Sequence, residues 1–354
     1  MHRPAMWCRL LAVSLLLLLS GEAARSADWR VSLRQEIERI DRASPGSLGV
    51  YVKRLDDDTV LSHGADRMWY LGSTVKVVVA IAVLQEVDAG RLKLADTLVL
   101  QETDRIEAGP LVRERVGRKI TIDELLKRML GDSDNTAANM LIRAVGDERL
   151  QATAKAAMGE RALRQLTSLA QVRFDVYAEI HPDARKLSNG RLVEIAAAPL
   201  GPKRVEALRQ ALDVPRSSLK AKTIDEAYAR YYEKQLNAAT LEGYGDMLEK
   251  LVKGKLLKPA SNERLFTDMK IRIFTNYRLQ AGLPRSVSFI HKTGTQYRRA
   301  CHAGVINPQD GGAHAIVVAT CAADIDEQHD AGKVFEQVGR AISRTLLAEQ
   351  AAAR

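Results

Sequence analysis

The chain has 354 residues, with 53 Lys and Arg against 44 Asp and Glu, a formal net charge of +9 and 3 Cys. Hydrophobic residues at 46% and charged residues at 27% are the proportions of a folded chain, which excludes a mostly disordered or low-complexity one. Three cysteines and no C-x-x-C pair exclude a disulfide framework and a zinc ribbon, while the positive balance admits nucleic acid, anionic membrane or anionic small molecules without choosing among them.

Residues 1–26 read as an export signal. Arg3 and Arg9 precede an apolar run from Leu10 to Leu19, and small residues follow, with Ala24 and Ser26 placed for cleavage after Ser26. The run is too short for the roughly 18–20 residues that span a bilayer. A secreted or periplasmic protein is therefore expected, with no stable membrane insertion once the signal is removed. Cys8 leaves with the signal. Cys301 and Cys321 then face an oxidising compartment, where they either bridge two strands or stay as buried thiols.

Leu33, Ile37 and Ile40 recur at helical spacing within residues 28–43. Leu48–Val52 alternates as a strand, Asp56–Asp58 is a turn, and Thr59–Leu61 makes a second short strand. Ser73–Leu84 is apolar enough to be a buried helix, with Ser73 as its cap. The pattern from about 80 to 285 is mostly helical: Thr121–Leu130, Arg191–Ala198, Lys203–Leu212 and Leu241–Leu257 are amphipathic. Ser286–Lys292, Ala303–Ile306 and Ala315–Cys321 are β-rich and separated by turns, among them Gly311-Gly312. Val334, Val338, Ile342 and Leu346 repeat every four residues in a last helix. Two strands at the front, three at the back and short turns between them predict an α/β protein of α+β type. Its antiparallel five-stranded sheet is flanked by the terminal helices. The expected division is a discontinuous sheet lobe (27–72 and 285–350) and an inserted all-helical lobe (73–284).

Three short motifs carry chemistry. Ser73-Thr-Val-Lys76 puts a hydroxyl and an ammonium on one helix face. A serine is a poor nucleophile until a base takes its proton, and a desolvated lysine can be that base. By itself the pattern is better read as a capped helix with a lysine one turn later, and Ser217-Ser-Leu-Lys220 repeats it in a connection. Ser133-Asp134-Asn135 offers a proton-relaying hydroxyl and an amide, or simply another helix cap. Lys292-Thr293-Gly294-Thr295 ends a strand, its lysine and hydroxyls forming a carboxylate pocket and its glycine letting a ligand lie against the strand.

In this order, S-x-x-K, S-D-N and K-T-G form the set of class A β-lactamases and penicillin-binding proteins. The sequence resembles that group, with further likeness in Ile120–Leu126, in Asn135–Asn139 and in Leu241–Leu257. The resemblance implies a β-lactamase/transpeptidase-like fold and an acyl-enzyme on Ser73. It implies Lys76 as base, Ser133 relaying a proton to the leaving nitrogen, and Lys292 tuning that step. Asn135 would hold the substrate amide, Thr293 and Thr295 the carboxylate, and the Ser73 and Thr295 amides an oxyanion. Arg298 or Arg299 would add charge. The substrate is then an anionic small molecule, a β-lactam or a cell-wall peptide.

Residues 145–236 depart from the pattern. The family's water-activating glutamate belongs to an E-x-x-L-N loop, and Glu233-Lys-Gln-Leu-Asn237 fits it in a helical setting, with Asp175 and Glu179 as weaker candidates. With a working carboxylate the protein is a β-lactamase. Without one, the site suits a D-alanyl-D-alanine peptidase, an esterase or amidase, or a lactam-binding sensor. The histidines have no H-E-x-x-H or H-x-H spacing and no phosphate-binding glycine loop occurs, so neither a metal nor another cofactor is expected. No Arg-rich run or aromatic-basic stripe points to nucleic acid, and a monomer is expected.

Overall fold

The computed structural model describes residues 28–269, 277–310 and 312–352; the expected export signal at residues 1–26 and Gly311 of the expected turn lie outside them. In chain order, α1 (Trp29–Ala43) is capped by Asp28, whose carboxylate accepts from the Arg30 amide. Strands β1 (Ser47–Arg54), β2 (Val60–His63) and β3 (Trp69–Tyr70) follow. A tight turn at Gly72–Thr74 leads into α2 (Val75–Asp88). The short strands β4 (Thr97–Val99) and β5 (Lys119–Thr121) pair with each other. Then come α3 (Ile122–Gly131), α4 (Asn135–Val145) and α5 (Asp147–Met158). The stretch 145–236, without family pattern, holds α5 and four further helices, α6 (Leu169–Ile180), α7 (Asn189–Ala196), α8 (Pro202–Leu212) and α9 (Ile224–Glu233). After β6 (Ala238–Ala239), which pairs with β3, the chain forms α10 (Leu241–Val252), α11 (Pro259–Asp268) and α12 (Leu279–Gly282). Strands β7 (Phe289–Gln296), β8 (Arg299–Ile306) and β9 (Ile316–Ala323) precede α13 (Asp330–Ile342), a wider turn at Ser343–Leu347 and α14 (Ala348–Ala352).

The expected sheet is present, antiparallel throughout and ordered β2-β1-β9-β8-β7. Because side chains alternate between faces, each strand feeds two cores. Leu48, Val50 and Val52 of β1 face α1 and α13 in one core. Tyr51 of β1, Cys301 of β8 and Val317 of β9 face the second, with α2 to α5 and α10. Helix α2 runs through that second core. Its residues from Val75 to Leu84 are all buried, as expected of a helix that is apolar on every side. Helices α6 to α9 close around a third core of their own, which includes Val176, Leu192, Leu208, Tyr228 and Tyr231 and reaches Tyr70.

Several boundaries differ from expectation. Ser73 does not cap α2: no side chain caps that helix, and residues 72–74 form the preceding turn. Strand β7 begins at Phe289 and runs through Gln296, so Lys292–Thr295 lies within the strand, where β8 pairs with it residue for residue. Cys301 and Cys321 face each other across β8 and β9 and are disulfide-bonded, with 4.1 Å between their Cα atoms.

Candidate active site

The turn at Gly72–Thr74 is pressed against β7 through two glycines. A Cβ on residue 294 would sit 2.2 Å from the Leu71 carbonyl oxygen and 3.1 Å from the Ser73 amide nitrogen. A Cβ on residue 72, whose φ is +55°, would sit 2.9 Å from the Thr295 amide nitrogen. Gly294 therefore makes room for the Ser73 turn itself rather than for a ligand along the strand. This contact brings the Ser73 and Thr295 amides together, the pair that the resemblance assigns to an oxyanion.

Ser73 and Lys76 are one helical turn apart, and the Lys76 ammonium donates to the Ser73 hydroxyl at 3.1 Å. The same nitrogen contacts the Ser133 carbonyl at 2.5 Å, the Ser133 hydroxyl at 3.2 Å and Asn135 Oδ1 at 2.7 Å. From β7, Lys292 Nζ reaches the Ser133 hydroxyl at 2.9 Å. Both lysines are fully buried. Burial, and then the charge of Lys292, push Lys76 well below the ordinary lysine range, against the pull of Asp134. Burial and the charge of Arg278 bring Lys292 down to about 7.

Ser133 sits in the left-handed region, φ +55°, which a non-glycine residue adopts only when its surroundings hold it there. They do. The Asp134 carboxylate caps α4 by accepting from the Ala137 amide and also accepts from the Leu111 amide, each at 2.8 Å. The Asn135 amide donates to the Ala108 carbonyl at 3.0 Å. Asn135 Nδ2 donates to the Glu107 carbonyl at 2.9 Å, so its Oδ1 is the atom left for Lys76. Burial raises Asp134 above the usual carboxylate range.

Thr293 and Thr295 share the strand face opposite Lys292 and Gly294, and Thr295 is exposed. The charge beside them is Arg278, which the sequence reading missed. Its guanidinium donates to the Thr295 hydroxyl at 2.8 Å and to the Gly294 and Cys301 carbonyls, both at 2.9 Å. Arg298 and Arg299 are turned elsewhere. Arg298 lies near Asp225, while Arg299 pairs with Asp324 and covers the Tyr232 ring at 4.4 Å. Ser217 and Lys220 lie in a connection between α8 and α9.

Glu233 is not brought to this cluster. It is an exposed residue at the last turn of α9. Asn237 of the same motif is buried, with φ +51°, and its side chain holds Thr167 through the Thr167 amide and hydroxyl at 2.9 and 2.8 Å. Asp175 pairs with Arg185 and Glu179 with Lys234, both within or against the α6–α9 segment.

Residues 32–346 match the model of the β-lactamase enzyme family. A β-lactamase of Rhodobacter capsulatus is 36% identical over 136 residues, 38% of this chain and 46% of the relative, so the chain spans under half of that relative's length. Among solved structures, a β-lactamase from Xanthomonas campestris pv. campestris superposes with a TM-score of 0.66 at 21% identity, covering 90% of this chain and 99% of the other. A mutant of PBP-A, in an acyl-enzyme complex with penicillin G, gives 0.65 at 20% identity, covering 90% and 96%. The two structures establish the fold, and the family match extends over nearly all the described residues: the chain belongs to the β-lactamase enzyme family.

Proposed function

We propose that this protein is an exported serine hydrolase that opens β-lactam rings through an acyl-enzyme on Ser73. The observation that carries the reading is the buried Lys76 amine, 3.1 Å from the Ser73 hydroxyl and biased towards its neutral form. Neutral Lys76 takes the hydroxyl proton as Ser73 Oγ bonds to the lactam carbonyl carbon. The oxygen of that carbonyl becomes an oxyanion facing the Ser73 and Thr295 amides. The C–N bond then breaks, and the nitrogen takes the Ser133 proton, which the lysines replace through the hydroxyl they share. Water later cleaves the ester and frees Ser73. Asn135 holds the substrate's amide arm, and Lys292, Thr293, Thr295 and Arg278 receive its carboxylate. The Cys301–Cys321 bond supports passage through an oxidising compartment, and thus the export reading of residues 1–26.

One observation favours a second reading, a penicillin-binding peptidase, an esterase or a sensor that keeps its acyl group. Among the described residues, no carboxylate hydrogen-bonds to Ser73, Lys76 or Ser133. Mixing the protein with a chromogenic cephalosporin and following intact mass tests both. Rapid colour change supports a β-lactamase, and a lasting adduct on Ser73 supports the second reading. A folded protein that forms no adduct and turns nothing over overturns both.

A further inference from the structure

Asn135 is joined to strand β7 by two separate hydrogen-bonded routes. The first passes through Lys76 and Ser133 to Lys292. The second starts at Asn135 Nδ2, which donates to the Glu107 carbonyl at 2.9 Å. The Glu107 carboxylate pairs with Arg173 of α6, whose Nη1 donates to the Tyr228 hydroxyl of α9 at 2.7 Å. That hydroxyl donates to Gln296 Oε1 at 3.0 Å. Lys292 and Gln296 are four residues apart, so the two routes land about 13 Å apart along the strand. Between them lie Gly294, against which the Ser73 turn rests, and the exposed Thr295.

The second route is built to stay in place. Arg173 is 9% exposed and Tyr228 1%. Helix α9 is fastened to the end of β7 a second time, since the Tyr232 hydroxyl donates to the Tyr297 carbonyl at 2.7 Å and the Tyr297 hydroxyl to Asp225 at 2.8 Å. The Tyr228 and Tyr297 rings lie 5.1 Å apart. Strand β7 is the sheet's edge, and these inserted helices cover its far end where no further strand does.

We infer that Arg173 and Tyr228 are specificity-determining residues that close the far end of the substrate-arm groove and limit the arm's length. This rests on the acyl-enzyme reading above, in which Asn135 holds the arm's amide, and the arm then runs from Asn135 past the exposed Thr295 of β7. An arm that extends past Thr295 meets the Glu107–Arg173–Tyr228–Gln296 link. A short arm stops before it.

The test compares the rate of adduct formation on Ser73 by penicillin G, with a short phenylacetyl arm, and piperacillin, with a long branched one. The wild type is expected to favour penicillin G. In the double variant Arg173→Met/Glu107→Gln, which removes both charges so that neither is left buried alone, the piperacillin rate is expected to rise at least about tenfold relative to penicillin G. Tyr228→Phe keeps the ring and cuts two hydrogen bonds, and is expected to move the ratio the same way by a smaller factor. It decides the question alone if the double variant does not fold. A wild type that prefers piperacillin, an unchanged ratio in folded variants, or two rates that fall by the same factor each overturn the inference. A folded wild type that neither takes an adduct from nor hydrolyses either compound overturns the acyl-enzyme reading, and the inference with it.

Discussion

Lys76 and Lys292 share one acceptor: the Ser133 hydroxyl lies 3.2 Å from the first ammonium nitrogen and 2.9 Å from the second. A hydroxyl has two lone pairs and one proton. Two charged lysines would occupy both lone pairs, whereas a neutral one can accept the hydroxyl's proton. Full burial of both amines disfavours the doubly charged state. The network is therefore one in which a proton can be passed between helix α2 and strand β7 through Ser133.

The first prediction concerns the linkage of Lys292 to stability. Its folded value is about 7, against an unfolded lysine near 10.5. Between those values the unfolded chain binds the extra proton, so stability falls as pH is lowered from 10.5 to 7. The slope from this group is about 1.4 kcal/mol per pH unit. Lys292→Met removes it. The variant is expected to exceed the wild type in stability near pH 7, with the gap closing as pH rises. Urea unfolding between pH 7 and 9.5 measures this, and parallel curves for the two proteins would refute it.

A second linkage acts on the acid side, at a pair the sequence motifs do not include. His302 Nδ1 accepts from the Leu279 amide at 3.2 Å, so its Nε2 carries the proton donated to His291 Nδ1, 2.8 Å away. Burial, then the charge of Lys292, brings His291 down to about 4, and burial followed by His291 pushes His302 well below the ordinary histidine range. Both are neutral when folded. Below pH 6.5 the unfolded chain protonates them first, so stability falls as pH drops towards 4. The double substitution His291→Phe/His302→Leu removes both titrating groups and is expected to flatten the melting temperature across pH 4–6.5. An acid limb as steep as the wild type's would count against it.

One part of the candidate site could be read from local spacing, whereas Ser133, Asn135 and Lys292, distant in the chain, could be joined to it only by the order of the three motifs. Ser73 and Lys76 are one helical turn apart, and the burial of α2 follows from its unbroken apolar run. The sheet could be read from alternation, although β7 and β8 run beyond the segments their apolar residues marked. What escaped depends on tertiary contact. Arg278 meets Thr295 only after the chain folds back from α12, and a lone arginine in a connection carries no pattern. Arg173, Tyr228 and Glu107 come from three separate segments. Glu233 misled for the converse reason: its E-x-x-L-N spacing is real, but the spacing falls across a helix end whose Asn237 is spent on Thr167.

Glu233→Gln is accordingly expected to change steady-state hydrolysis of a chromogenic cephalosporin by less than about twofold, the result for a surface substitution away from the reacting atoms. The residue is exposed at the end of α9 and makes no hydrogen bond to the cluster among the described residues. A loss of a hundredfold or more, with an acyl-enzyme accumulating in its mass spectrum, would restore Glu233 as the deacylating base.

The close approach at Gly294 predicts a more severe effect. A methyl group there would lie 2.2 Å from the Leu71 carbonyl oxygen, a backbone atom that cannot rotate away. Gly294→Ala must push the Ser73 turn off β7 and separate the two amides proposed to face the oxyanion. Loss of one such donor costs about a hundredfold to a thousandfold in rate. The variant is expected to lose at least a hundredfold in the rate of Ser73 acylation while its circular dichroism spectrum stays native. Acylation within threefold of wild type would show that the contact does not build the oxyanion site.

Arg278 offers the most selective test of the carboxylate pocket. Two of its hydrogen bonds go to the Gly294 and Cys301 carbonyls and fix the guanidinium, and the third presents it to the Thr295 hydroxyl. Gly294 and Cys301 are also paired with each other across β7 and β8, so Arg278→Ala removes a second donor from each carbonyl and loses some stability whatever its role in binding. Comparing a penicillin with its methyl ester separates the two effects. If Arg278 binds the carboxylate, Arg278→Ala slows acylation by the acid by about tenfold or more and acylation by the uncharged ester much less, because the ester has no charge to lose. Equal slowing of both compounds would reduce Arg278 to a strut beneath β7 and leave Lys292 and the two threonines as the whole of the anion site.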